Sequence, residues 1–144
     1  MIKDLASDMS EFFGKWRDAE GVFHPTATRA DAIAPVLPTE PSRIAASEAI
    51  ECINCAICYA ACDTVALSPD FLGPAALNRA WTLINDTRDG AHVERLKAVS
   101  GVGGCHNCHA QQSCMTYCPN ALNPAASIAG LKRATAKAAL QGEI

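Results

Sequence analysis

Aromatic residues are scarce in this chain, at 6% of 144 residues. Ala is abundant, and no segment shows convincing apolar/polar alternation. These lacks exclude a large β-sandwich, whose strands draw on aromatic and β-branched side chains. Excess charge is also missing. Twelve Lys and Arg face 15 Asp and Glu, for a net charge of −3. With no basic stripe, nucleic acid is excluded as a partner. No apolar run approaches the ~20 residues needed to span a bilayer. A secretory signal is not expected either, because the opening MIKDLASDMSEFFGKW is charged and amphipathic. Asp4, Asp8, Glu11 and Asp18 make it too acidic for a transit peptide. The length suits one domain.

Cysteine is what the chain does have. Seven of its eight cysteines fall into two groups. The first is Cys52-x2-Cys55-x2-Cys58-x3-Cys62, and the second is Cys108-x5-Cys114-x3-Cys118-Pro119. The first matches the C-x2-C-x2-C-x3-C run of bacterial ferredoxins, in which the fourth cysteine ligates the other cluster. The second is the same run with Gln111 in the place of the second cysteine. Crossing the fourth cysteines assigns Cys52, Cys55, Cys58 and Cys118 to a 4Fe-4S cluster. The other site receives Cys62, Cys108 and Cys114. Three thiolates with an amide at the vacant corner suit a 3Fe-4S cluster. Thiolates are soft ligands that match iron in sulfide clusters. The x2 spacings let one loop supply three corners, and each distant fourth cysteine pins the other half of the domain.

Other readings of the same residues compete with this one. Four disulfides in a secreted domain would use all eight cysteines, but unpaired cysteines at metal spacing fit a reducing compartment. Zinc on Cys52, Cys55, Cys105 and Cys108 would make a four-thiolate site, yet it strands Cys58, Cys62, Cys114 and Cys118. Cys105 lies outside the ferredoxin register; it is a bystander thiol or a fourth thiolate for the second cluster. Gln111 is the vacant corner, or a plain surface residue in a four-iron site completed by water or Cys105. His106 and His109 flank Cys108. A histidine there can donate to a sulfide, bind an oxygen ligand or carry a proton. His109, next to a ligand, is the functional candidate, whereas His106 has only proximity in its favour. Gly101-x-Gly103-Gly104 lacks the strand–helix context of a dinucleotide fingerprint.

Periodicity predicts an all-α fold. Leu5, Met9, Phe12, Phe13 and Trp16 form one apolar stripe over residues 2–20. Pro25, Pro35, Pro38 and Pro41 make residues 21–43 a loop or extended crossover. Ser42 or Ser47 opens a helix through Ala45–Ile50. Pro74 suits the first position of a helix over Ala75–Asn85, with Leu77, Trp81 and Ile84 on one face. Further helices are expected at Ala91–Val99 and Ala125–Leu140, the latter with Pro124 at its start, Asn123 as cap, and Ile128 and Leu131 inward. Gly101, Gly103 and Gly104 predict a close backbone approach. The organisation expected is an N-terminal helix and Pro-rich crossover over 1–43, then an α-helical ferredoxin domain over 44–144 built around two iron–sulfur clusters.

Four stretches carry a resemblance. Cys52-Ile-Asn-Cys-Ala-Ile-Cys-Tyr-Ala-Ala-Cys62, Ser68-Pro-Asp-Phe-Leu-Gly-Pro-Ala-Ala76, Asp86-Thr-Arg-Asp89 and Cys118-Pro-Asn-Ala-Leu-Asn-Pro-Ala-Ala126 resemble the iron–sulfur subunit of succinate dehydrogenase and fumarate reductase. Lys3–Met9 resembles the segment opening that subunit's second half. The resemblance implies an electron-transfer subunit of a complex II-type succinate:quinone oxidoreductase that performs no bond chemistry itself. It implies the same ligand sets, a flavoprotein partner, and membrane-anchor subunits holding quinone nearest the three-iron cluster, where His109 is the quinone-proximal candidate. It also implies a 2Fe-2S ferredoxin-type half, here expected on a separate chain or missing. The expected place is the cytoplasmic face of a bacterial inner membrane or the matrix face of the mitochondrial one. Asp63 stands where the family usually has proline, and Leu67 where succinate-oxidising members often carry a quinone-site tryptophan. His109, however, resembles succinate dehydrogenases. The alternatives are a two-cluster relay related to heterodisulfide reductase and a zinc-stabilised interaction domain.

Overall fold

The computed structural model describes residues 6–144. Among them it contains helices and no strand; the only sheet-like pairing described between named partners is an isolated bridge, Pro25 to Asp89. The helices are α1 (Ser10–Asp18), α2 (Pro41–Ile50), α3 (Ile57–Ala60), α4 (Asp63–Leu67), α5 (Pro74–Ile84), α6 (His92–Ser100), α7 (Ser113–Thr116) and α8 (Pro124–Gln141), with a 3-10 turn at Cys105–Asn107. The all-α expectation holds.

Helix α5 is the hub, with α8, α2, α6 and α1 all packed on it. Its sequence allows this because Ala75, Ala76 and Ala80 are buried and let neighbours approach closely. Leu77 is fully buried, and Trp81 and Ile84 pack at the core's margin. Ile128 and Leu131 of α8 point inward as the spacing predicts. Gly130 has a further role: a Cβ there would meet the Trp81 indole at 2.5 Å. Asn78 ties three helices together. Its amide donates to Ala49 O of α2 (2.9 Å) and accepts from Ser127 Oγ of α8 (2.8 Å). Satisfying both ends is what makes a buried amide tolerable.

Helix starts follow proline more closely than serine. Pro74 and Pro124 open α5 and α8, and Asn123 Oδ1 accepts from Ala126 N at 2.9 Å. Pro41, rather than Ser42 or Ser47, opens α2. A residue without an N–H loses nothing at the first helical position. The N-terminal helix is shorter than its stripe: among the described residues it begins at Ser10, after Asp8 accepts the Ser10 N–H at 2.9 Å. Leu5 lies outside the described residues. Of the remaining stripe, Phe12 is buried while Phe13 is exposed.

The two cysteine runs meet where glycine permits. Leu72 N donates to Gly103 O at 2.8 Å, and a Cβ on Gly103 would lie 1.9 Å from Asp70 O. The stretch after the first run thereby packs on the loop before the second; Gly103 and Gly104 serve the close approach that the glycine cluster predicts, whereas Gly101 faces open space.

Candidate metal centres

Each cysteine run folds the same way. A left-handed residue pair brackets the second ligand position in both. Asn54 and Ala56 (φ 55° and 61°) flank Cys55, and Ala110 and Gln112 (φ 57° and 65°) flank Gln111. A one-turn helix follows each, α3 after Ala56 and α7 after Gln112. Gln111 therefore occupies in the second loop the backbone position that Cys55 occupies in the first. Four non-glycine residues in this region cost of order 1–3 kcal/mol each. Successive N–H groups in such turns form concavities that favour an anion. One donation of this kind is already made: Ala110 N lies 3.4 Å from Cys108 Sγ.

The thiols gather into two neighbouring cavities. Cys52, Cys55, Cys58 and Cys118 line the first, with Ile53, Asn54, Leu122 and Pro124. Cys62, Cys108 and Cys114 line the second, with His109, Gln111 and Thr64. Cys118 of the second run thus lines the cavity of the first, and Cys62 of the first run lines that of the second. Asn120 Nδ2 reinforces the crossing by donating to Glu51 O at 2.7 Å. Lys132 of α8 donates to Cys108 O at 2.7 Å and brings a cation to the second loop. Nothing in the cysteine spacing signals Lys132, because α8 is brought there only by packing.

The donor chemistry suits a polynuclear centre. Burial, then the charges of Cys52, Cys114, Cys55 and Cys118, push the Cys58 thiol up to about 12. Burial, then Cys108 and Cys62, push Cys114 up. Thiolates packed this closely repel one another and ionise together only around a compensating cationic centre. Yet among the described residues no three His, Cys, Asp or Glu side chains are placed to hold a single metal ion.

The other candidates fall elsewhere. Cys105 lines neither cavity; it is fully buried in the core, its Sγ 3.8 Å from Thr135 Oγ1. His106 Nε2 lies 2.9 Å from the same hydroxyl. Thr135 Oγ1 also lies 2.9 Å from Leu131 O, to which it can donate. Leu67 is 85% exposed. Helix α1 braces the first loop from outside: Tyr59 Oη donates to Glu11 Oε1 at 2.7 Å, and the Phe12 ring meets Tyr59 edge-on at 5.6 Å. Among the described residues no helix is long and apolar enough to cross a membrane.

Residues 48–122 match the 4Fe-4S dicluster domain family. The chain is 35% identical over 140 residues to succinate dehydrogenase (ubiquinone) iron–sulfur subunit 1, mitochondrial, from Oryza sativa subsp. japonica; this covers 92% of the chain and 48% of that relative. It is 34% identical over 146 residues to the fumarate reductase iron–sulfur subunit of Mycobacterium tuberculosis, covering 98% and 57%. The chain thus spans about half the length of these curated relatives.

Proposed function

Because the chain belongs to the 4Fe-4S dicluster domain family, we propose that it is the two-cluster part of the electron-transfer subunit of a succinate:quinone oxidoreductase. Cys52, Cys55, Cys58 and Cys118 would hold a 4Fe-4S cluster, and Cys62, Cys108 and Cys114 a 3Fe-4S cluster. The observation that carries this reading is that each cavity is lined by cysteines of both runs, with Gln111 at the backbone position in the second loop that Cys55 holds in the first. The clusters supply one-electron redox chemistry in a series. The chain's own residues hold them at a set separation, because each loop lends one cysteine to the other's site. The loop N–H groups and the Lys132 ammonium offset negative charge near the sulfurs.

The relatives are named as subunits, which supports a chain that works with others; the particular partners are those that the family resemblance implies. A flavoprotein would supply or accept electrons through a 2Fe-2S ferredoxin-type unit, on a separate chain or a longer form of this one. Membrane-anchor subunits would bring quinone to the second cavity, which His109 lines. The subunit would then sit peripherally on the cytoplasmic or matrix face.

Electron paramagnetic resonance on anaerobically purified protein, with iron and zinc quantified, tests the reading. A signal in the oxidised sample and a second on dithionite reduction are expected. Silence when oxidised, with two interacting signals on reduction, would favour the relay related to heterodisulfide reductase; zinc without iron would leave only an interaction domain. Affinity capture should recover a flavoprotein and a 2Fe-2S partner, whereas a solitary monomer would argue for another system.

A further inference from the structure

A cation lies beside the first cavity, on a helix that carries no cysteine. Arg79 of α5 lines a small cavity between α1, α2 and α5 together with Trp16, Asn54 and Cys52. Cys52 is also part of the first cysteine cavity, so the two spaces share that thiol. The guanidinium is held in place. Its Nε donates to Gly21 O at 3.0 Å, and its Cζ lies 5.4 Å from the Trp16 ring centroid. Stacking on an aromatic face fixes the position of a cation without neutralising it. Gly21 is pressed against the same indole, where a Cβ would meet ring atoms at 2.7 Å.

Among the described residues no carboxylate forms a salt bridge with this guanidinium: the ion pairs are Arg88–Asp86 and Arg95–Asp89, and Arg79 is in neither. Burial, then the neighbouring Arg95, lower its pKa, while Asp89, Asp86 and Cys52 oppose this. A guanidinium stays protonated throughout the working range, so the interior beside Cys52 carries a lasting positive charge.

We propose that Arg79 sets the reduction potential of the cluster held by Cys52, Cys55, Cys58 and Cys118, raising it by stabilising the reduced form. Taking up one electron makes the centre more negative by one charge. A fixed cation in a partly desolvated setting favours that state over the oxidised one. The electron comes from the upstream redox partner and passes on to the second cluster; Arg79 gains and loses no proton. Trp16 and the Gly21 carbonyl are positioning groups that hold the charge beside Cys52. The inference rests on the first cavity carrying the four-iron cluster.

The test is a redox titration followed by electron paramagnetic resonance, on full-length protein purified anaerobically with its irons. Wild type is compared with R79Q, R79M and R79K. Both neutral variants are expected to lower the four-iron potential by at least a tenfold change in the reduction equilibrium, 59 mV for one electron. R79K should stay closer to wild type, and the three-iron potential should move less than the four-iron one. An unmoved potential in an iron-replete neutral variant overturns the proposal. So does an R79K shift as large as that of R79Q, or loss of iron from both neutral variants, since either assigns Arg79 to packing. The wild-type spectrum separates the two ideas: no four-iron signal there sinks the cluster reading, while an intact signal with an unmoved potential in the neutral variants sinks only the role of Arg79.

Discussion

Gln111 and Cys55 sit in equivalent turns and differ in one functional group. Both are bracketed by left-handed residues, and both precede a one-turn helix. The second loop has kept the backbone of a ligand position without the ligand. Gln111→Cys is therefore expected to let the second site take up one more iron per chain and to remove the oxidised-state paramagnetic signal. An unchanged spectrum with all other ligands intact would show that the side chain at this position does not decide the iron count. Cys105 presents the opposite case, a thiol without a ligand position. It is buried against Thr135 and lines neither cavity. Cys105→Ser should retain both clusters in full, checked by iron content; loss of either would make Cys105 a ligand. The places of these two residues, one in the cysteine register and one outside it, were legible in the spacing, because register is a local property. Arg79 was not, because its partners Trp16 and Gly21 are brought to it only when α1 packs on α5.

Among elements, the link most dependent on one interaction is the latch between the N-terminal segment and α6. Arg95 is fully buried and pairs with Asp89 through two contacts, 2.6 and 3.2 Å. It also donates to Glu20 O (2.8 Å) and Val22 O (3.0 Å). Asp89 in turn accepts from the His24 and Ala91 N–H groups, each at 3.0 Å. Every charged atom is engaged, so removing one partner strands the other. Arg95→Met is expected to cost about 3–5 kcal/mol, read as a lowered midpoint in chemical denaturation. A loss below about 1 kcal/mol would mean the pair behaves like an exposed one. Acid should weaken the same latch. Burial opposes ionisation of Asp89 most strongly, but hydrogen bonds from Arg95, His24 N and Ala91 N together outweigh it and hold the carboxyl below its ordinary value. A depressed pKa stabilises the fold fully above the unfolded value of about 3.9, and that stabilisation is lost as pH falls through the folded value. Asp89→Asn should therefore flatten the acid limb of the stability profile; an unchanged limb would place the acid sensitivity elsewhere. Asp86-Thr-Arg-Asp89 was visible as a motif, but its fourth residue's partner, Arg95, was not, since no pattern marks an arginine as buried.

At the scale of the whole molecule, cysteines that ligate the proposed clusters would act as long-range cross-links. Each cavity draws thiols from both runs, and α3 and α7 are single turns that cannot persist alone. Metal bound to such a site contributes directly to folding. Removing iron with a chelator under reducing conditions should lower the thermal midpoint and broaden the transition, followed by circular dichroism. An unchanged melt after complete iron loss would show that α2, α5, α6 and α8 are self-sufficient.

The sequence by itself determined the spacing of the two cysteine runs, the all-α class and the starts of α5 and α8. All of these depend on spacing, on proline and on periodicity within a few residues. It also placed the glycines at the close approach, because a missing Cβ is a local fact with a local use. Only the tertiary structure decided which cations face the cysteine loops, that Cys105 is buried against Thr135, and which polar groups close the core. Arg79, Lys132, Asn78 and Arg95 all act on partners at least 24 residues away, or on helices other than their own. Such contacts are created by packing α5 against α1, α2 and α8, and side-chain identity alone carries no record of that packing.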